Sequence, residues 1–272
     1  MKEENFSEVP NPSKDQHFMT NGTTVEKIVE AAGINAKDVV LEIGAGSGIL
    51  TERLAAKHAK VIAVEIDSRF SKTLGRLGGK NLEIVYANAL DVIDEIAFNK
   101  MVANIPYSIC EPLLGKLYSR QFDLAVLSVP ENFYRILSSV HGEKTYSILS
   151  LRSEVFFKID MKFRIPAEDF DPVPRTGSVA IVITPLGRYE LMESPDKFVL
   201  REVMLQRKKK LKNALMEALI NLNKNTGPGL TKKSALAVIA KMHIGAALLD
   251  KKTETMNLND FLELRSRLKS FS

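Results

Sequence analysis

Residues 104–112, Asn-Ile-Pro-Tyr-Ser-Ile-Cys-Glu-Pro, follow directly on Lys100-Met101-Val102-Ala103, a run that reads as a buried strand. An amide, an aliphatic residue, a proline and a phenol in succession at a strand exit admit two readings. One is a turn, since Asn and Pro form turns and Pro ends strands. The other is a grip on a flat ring that carries an amine. The amide of Asn104 offers a hydrogen-bond acceptor, Pro106 stiffens the chain, and Tyr107 offers a face for stacking. A turn explains Pro106 but not the large ring after it. Nothing near Cys110 in sequence lowers its pKa, so it reads as a small buried residue rather than a nucleophile.

A second cluster lies upstream. Leu41-Glu42-Ile43-Gly44-Ala45-Gly46-Ser47-Gly48 joins an apolar strand to a helical segment. Glycines at such a junction permit a sharp turn and the close approach of a ligand, and the helix that follows presents free N–H groups. Glu65 ends the next strand roughly 20 residues on, where doubly wound sheets place an acidic acceptor for ribose hydroxyls. Glu65 alone leaves a nicotinamide dinucleotide open. The fingerprint G-x-G-x-x-G is not met, however, because Gly48 falls two residues after Gly46 instead of three.

Strands must hold these residues. Asp38–Ile43, Lys60–Ile66, Leu82–Tyr86, Lys100–Ile105 and Asp123–Val129 read as five strands. Helical stretches intervene at Ile49–His58, Phe70–Leu77 and around Pro112–Ser119, and Thr23–Ala32 precedes them with Val25, Ile28, Val29 and Ala32 on one face. The alternation predicts a mostly parallel α/β sheet covered on both faces, with both clusters at carboxyl strand ends, where ligands bind. Glu154–Ile165 and Ser178–Thr184 read as an antiparallel pair closing one edge. Strands cease after Pro185-Leu186-Gly187. Phe198–Leu222 then reads as one helix, 223–229 as a break, and the rest as shorter helices ending with one from Leu258 to about Ser270. The expected divisions are an N-terminal arm, 1–22, a catalytic domain, 23–186, and a small helical domain, 187–272.

Composition sets the outer limits. The chain has 272 residues, enough for a main domain and a smaller one. No apolar run approaches the roughly 18–20 residues of a membrane span, and the N-terminus has no apolar secretory core. A lone cysteine cannot form an intramolecular disulfide, which fits a cytoplasmic protein. The four scattered histidines show no zinc spacing, so no metal is expected. The net charge of +5 is uneven: residues 187–272 carry 17 basic against 9 acidic residues, and the remainder 21 against 24. A basic lobe beside a slightly acidic one favours a polyanionic partner.

Together these motifs resemble known ones. E-x-G-x-G-x-G at 42–48, with Val64-Glu65-Ile66-Asp67, resembles the signature of class I S-adenosylmethionine methyltransferases. Asn104–Tyr107 resembles the (N/D)-(P/L/I)-P-(Y/F) motif of enzymes that methylate exocyclic amines of nucleobases. From about Lys14 to Leu215, and weakly beyond, the order and spacing of motifs are similar to those of the KsgA family of ribosomal RNA adenine dimethyltransferases. The segments are KDQHFMT (14–20), LEIGAGSGILTERLA, VEID, NIPYSICEPLLGKL, DLAVL, IPAEDFDPVPRTGSVAIVI and LQRKKKLKNAL (205–215).

The resemblance implies a class I methyltransferase, Rossmann-like sheet with a small C-terminal helical domain. It implies S-adenosyl-L-methionine held by Gln16, His17, Met19, Glu42, Gly44, Ala45, Gly46, Gly48, Glu65, Ile66, Asn88, Ala89 and Asn104. It further implies an adenine amine held by Asn104 and the Ile105 carbonyl, with Pro106 fixing that carbonyl and Tyr107 and Phe170 flanking the base. Arg175 and a basic helix with Arg207, Lys208, Lys209, Lys210 and Lys212 would contact RNA. Catalysis would be positioning and electrostatics, since the nitrogen turns acidic only after it gains the methyl. The expected function is N6 methylation of ribosomal RNA by a monomer, with one or two methyl groups placed on small-subunit 3′-end adenines or on a large-subunit site.

The sequence departs from the family at Asp15-Gln16, Asn88, 128–132, 146–150 and Arg175, mostly on the substrate face. A non-catalytic RNA- or DNA-binding factor in ribosome assembly or transcription is the alternative on the same scaffold. The basic C-terminal third argues against a small-molecule substrate, and the motif order against most DNA enzymes.

Overall fold

A computed structural model of the chain describes residues 17–226 and 229–270. The arm residues 1–16, Gln16 among them, lie outside the described residues. The strands are β1 (Phe18–Met19), β2 (Val39–Ile43), β3 (Lys60–Glu65), β4 (Leu82–Tyr86), β5 (Lys100–Asn104), β6 (Leu124–Pro130), β7 (Phe157–Ile165), β8 (Phe170–Asp171) and β9 (Ser178–Pro185). The helices are α1 (Gly22–Ala31), α2 (Ile49–Ala55), α3 (Ser71–Leu77), α4 (Ala89–Val92), α5 (Cys110–Leu117), α6 (Glu131–Leu137), α7 (Ile148–Phe156), α8 (Arg188–Met192), α9 (Pro195–Leu205), α10 (Leu211–Thr226), α11 (Lys232–Lys241), α12 (Ala246–Asp250) and α13 (Leu258–Lys269).

Seven strands form one sheet in the order β4-β3-β2-β5-β6-β9-β7, and β1 and β8 form a separate antiparallel pair. The β4-β3-β2-β5-β6 run is parallel, and β9 runs antiparallel to β6 with Val126 opposite Val182 and Pro130 opposite Ser178. Strands buried on both faces must be apolar throughout, which is why β2, β3, β5 and β6 read as continuous runs rather than alternating ones. Val25, Ile28 and Val29 of α1 pack with Val40, Val61, Val102 and Val126 in one core. The order reverses between β2 and β5, and that crevice is where a doubly wound sheet binds its ligand.

At the amino ends of the strands a polar clamp holds β2 and β5 together. Lys100 lies 3.0 Å from Asp38 and donates to the Gly33 carbonyl at 2.6 Å. Asn99 donates to Asp38 and Asp123 at 2.8 Å and accepts from the Val39 amide at 2.7 Å.

Two elements differ from the sequence reading. Glu154–Phe156, expected in a strand, closes helix α7. A reciprocal Ser147–Ser150 capping box starts that helix, and the chain turns extended only at Phe157. The expected single helix Phe198–Leu222 is two, broken at Gln206–Lys210. There the carbonyls of Gln206, Arg207 and Lys209 accept from the Thr253 hydroxyl at 2.7 Å and from the Glu254 and Thr253 amides at 3.0 Å. Bonds to the 253–254 segment thus replace bonds along a helix. The cations expected on a helix at 207–210 consequently sit on a turn.

The chain divides into two compact units. One comprises the described residues up to Arg135 with Ile159–Pro185, and the other Ile136–Lys158 with Leu186 onward. Residues 136–158, which sequence reasoning assigns to the catalytic domain, are counted with the second unit. Among the described residues, no helix is long and apolar enough to cross a membrane.

Candidate active site

A cavity of about 460 Å³ opens at the carboxyl ends of β2, β3, β4 and β5. That volume is in the range that encloses a drug-sized ligand or cofactor. His17, Gly44, Glu65, Ile66, Asn88, Ala89, Asn104, Ile105, Pro106, Tyr107 and Phe170 all line it. Eleven residues singled out in the sequence therefore share one wall system, although they lie up to 153 positions apart.

One half is built on the glycine turn. Gly44, at φ +76°, lies so close to β5 that a Cβ there would stand 3.6 Å from the Asn104 carbonyl and the Pro106 ring. Gly46, at φ +52°, does not line the cavity. A Cβ on it would meet the Phe18 ring at 2.9 Å, so this glycine exists for packing as well as for its turn. Both oxygens of Glu65 accept backbone amides, from Gly46 and from Asp67, each at 2.7 Å. Burial raises the Glu65 pKa, and those two amides draw it partly back. Each carboxylate oxygen has a second lone pair for a hydroxyl donor. Ile66, beside it, is 69% exposed on the cavity wall and presents an aliphatic face. Asn88 Oδ1 caps α4 by accepting the Leu90 amide at 3.0 Å.

The other half is built on β5. Asn104 donates from Nδ2 to the His17 carbonyl at 2.9 Å. With that nitrogen committed, Oδ1 is left to accept, and it takes no hydrogen bond from the described residues. The Ile105 amide donates to the Ser128 carbonyl at 3.3 Å, which extends the β5–β6 ladder by one residue and steadies the peptide before Pro106. The Tyr107 ring starts a short 3₁₀ turn, and its hydroxyl lies 2.6 Å from Ser178 Oγ. The His17 ring stacks beside it, centroids 6.0 Å apart at 28°. Phe170 is buried in the core and also lines the cavity. Cys110 is buried with its thiol toward the Pro106 carbonyl.

A strap brings His17 here. Met19 pairs with Phe170 across β1 and β8, and the Thr20 amide donates to the Asp169 carbonyl at 2.8 Å. The Asp169 carboxylate accepts from Asn21, the α1 cap, at 2.8 Å and from Thr24 at 2.5 Å. His17 Nδ1 lies 2.7 Å from the Pro172 carbonyl, to which it donates.

Several expected residues sit behind the wall. Met19, Glu42 and Ala45 are buried and do not line the cavity, nor do Gly46 and Gly48. Glu42 is 1% exposed, and neither of its oxygens has a hydrogen-bond partner among the described residues. Burial pushes its pKa up to about 8; the nearby Thr51 hydroxyl opposes this without forming a well-aligned bond, and the Glu65 charge adds to it. Arg175 is exposed on the loop before β9. Arg207, Lys208, Lys209 and Lys210 are exposed on the turn before α10, and Lys212 in its first turn. Phe18, Asp67 and Ser178 were missed. Asp67 was visible two residues after Glu65, whereas the contacts of Phe18 and Ser178 join distant segments. Among the described residues, no cluster of His, Cys, Asp or Glu is placed to hold a metal.

The parallel sheet with its antiparallel β9 inserted beside β6, and a ligand cavity at the switch point between glycine turn and Asn-Ile-Pro-Tyr, define a class I methyltransferase. Residues 9–244 match the family described as "Ribosomal RNA adenine dimethylase". The chain is 37% identical over 207 residues to the "Probable ribosomal RNA small subunit methyltransferase A" of Methanococcoides burtonii, covering 75% of this chain and 76% of that one. It is 38% identical over 208 residues to the protein of the same name from Methanopyrus kandleri, covering 74% of each. A crystal structure of a dimethyladenosine transferase from Plasmodium falciparum aligns with a TM-score of 0.62 at 27% identity, over 94% of this chain and 98% of that one. The chain belongs to the ribosomal RNA adenine dimethylase family, whose enzymes methylate rRNA adenine with S-adenosylmethionine.

Proposed function

We propose that this enzyme methylates adenine N6 in small-subunit ribosomal RNA, acting as a monomer without a metal ion. The relatives named above support the small subunit over the large. One observation carries the site assignment: the His17 carbonyl engages Asn104 Nδ2, so the amide presents its oxygen as the acceptor. Bound S-adenosylmethionine supplies an electrophilic methyl group. Glu65 and Ile66 suit its nucleoside: a carboxylate with spare lone pairs stands beside an exposed aliphatic face.

The chain's own residues do the rest. Asn104 Oδ1 and the Ile105 carbonyl accept the two N–H groups of the amine. That favours a pyramidal nitrogen and aims its lone pair, otherwise delocalised into the ring, toward the methyl group. Tyr107 and Phe170 flank the base, stacking being worth roughly 1–3 kcal/mol per base in comparable sites. The proton leaves after transfer, when the nitrogen is positively charged, so no strong base is required. Arg175, Arg207, Lys208, Lys209, Lys210 and Lys212 contact the RNA backbone.

The test is transfer of labelled methyl to small subunits from a strain lacking the gene, with mass-spectrometric mapping of the product adenines. Methylated adenine in small-subunit RNA is the expected result, and its number of methyl groups is read directly. Asn104→Ala should reduce transfer by at least about 100-fold while the fold survives, as losses of transition-state hydrogen bonds do. Methylation confined to large-subunit RNA, or full activity of Asn104→Ala, would overturn the reading.

A further inference from the structure

We infer that Ser178 is a positioning residue for methyl transfer, acting through its hydrogen bond to Tyr107. The inference rests on the reading that Tyr107 flanks the target base.

Ser178 opens β9 and is 1% exposed. Its Oγ lies 2.6 Å from the Tyr107 hydroxyl, across 71 residues of sequence. Tyr107 itself is only half-buried and sits on a three-residue 3₁₀ turn, a weak platform for a ring that must hold one plane. Ser178 has a far stiffer one. It stands opposite Pro130 in the β6–β9 ladder, whose next registers pair Ser128 with Ala180, and Ser128 pairs in turn with Asn104. The sheet that fixes the amine acceptor therefore also fixes the hydroxyl that anchors the stacking ring.

The support continues one residue back. The Gly177 carbonyl accepts the Glu131 amide at 2.9 Å, and Glu131 pairs with Arg164 at 3.2 Å. This is the 128–132 segment in which the chain departs from its family. Glu131 reaches Ser178 through the Gly177 carbonyl, so a change at that end of the segment can retune the ring. A ring displaced by a fraction of an ångström misaligns the amine, and such errors appear in the chemical step rather than in cofactor affinity.

The experiment compares Ser178→Ala, Tyr107→Phe and the double variant in methyl transfer to small-subunit RNA. Calorimetric cofactor binding serves as the check on folding. Each single variant should lower kcat by about tenfold with unchanged cofactor affinity, and the double variant should fall no further, because both remove one shared bond. Tyr107→Phe leaves β9 untouched, so it reads the bond even if Ser178→Ala disturbs the strand. Wild-type kcat in both single variants, or losses that multiply in the double, would sink the inference. Failure of the wild-type enzyme to methylate any RNA would instead overturn the reading of the site.

Discussion

At the residue scale, the motifs legible in sequence are those whose members lie next to one another. Asn104, Pro106 and Tyr107 form a contiguous strand exit, and Glu65 follows the glycine turn at a spacing the fold requires. Glu42 shows the limit. Its position before the glycines marks it as part of the motif, but only the structure shows it buried off the cavity wall, without a hydrogen-bond partner among the described residues. Its carboxyl is held neutral up to about pH 8, against an ordinary value of 4.5. A folded-state pKa raised in this way contributes stability fully below about pH 4.5, and that contribution is lost as pH rises toward 8. Glu42→Gln keeps the shape and removes the charge. It should therefore unfold at nearly the wild-type temperature near pH 5 and at a higher one above about pH 8, the difference growing to several kcal/mol. Thermal unfolding across that range decides it. A constant difference would mean that Glu42 is ionised and partnered in the folded protein.

At the element scale, the errors of sequence reading share a cause. Glu154-Val155-Phe156-Phe157 is a short apolar run, and such a run fits a buried helix end as well as a strand. Glu154 is held where it is by distant groups. Arg265 of α13 donates to both its oxygens at 2.6 and 2.9 Å and to Asp196 of α9 at 3.0 Å. The Tyr146 hydroxyl adds a bond to Glu154 at 3.3 Å, and burial followed by the Glu154 charge pushes its pKa up to about 12. No local pattern reveals a cluster spanning 119 residues. Arg265 is largely enclosed, and its hydrogen bonds to Glu154 raise its pKa more than burial lowers it. Arg265→Met should cost up to about 3 kcal/mol, because Asp196 loses its cation and Glu154 keeps only Lys197, 3.6 Å away. Adding Asp196→Asn should recover part of the loss. Denaturant midpoints of the two variants measure both effects. A loss below about 0.5 kcal/mol would place the cluster with ordinary surface pairs.

At the scale of the whole molecule, the uneven charge was legible from composition, whereas its local arrangement was not. The excess of basic residues in 187–272 stands, but at 207–210 it lies on a turn anchored through its backbone carbonyls, leaving the side chains outside. Lys209 and Lys210 pair with Glu217 and Asp250, each at 2.5 Å, and all four groups are exposed. Such pairs contribute little to stability and can be exchanged for phosphate. Arg207 and Lys208 make no side-chain ion pair with the described residues. A cation that meets a phosphate releases counterions, so its removal flattens the dependence of affinity on salt, by about 0.7–0.9 in log K per log salt for each lost contact. Arg207→Ala with Lys208→Ala should thus weaken RNA binding most at low salt and reduce the slope by about 1.4–1.8, with equal effect on unrelated RNA sequences. Binding isotherms over a salt series give that slope. An unchanged slope would make these two cations a solvated surface, and the RNA contact would then fall to Arg175, Lys212 and the paired lysines.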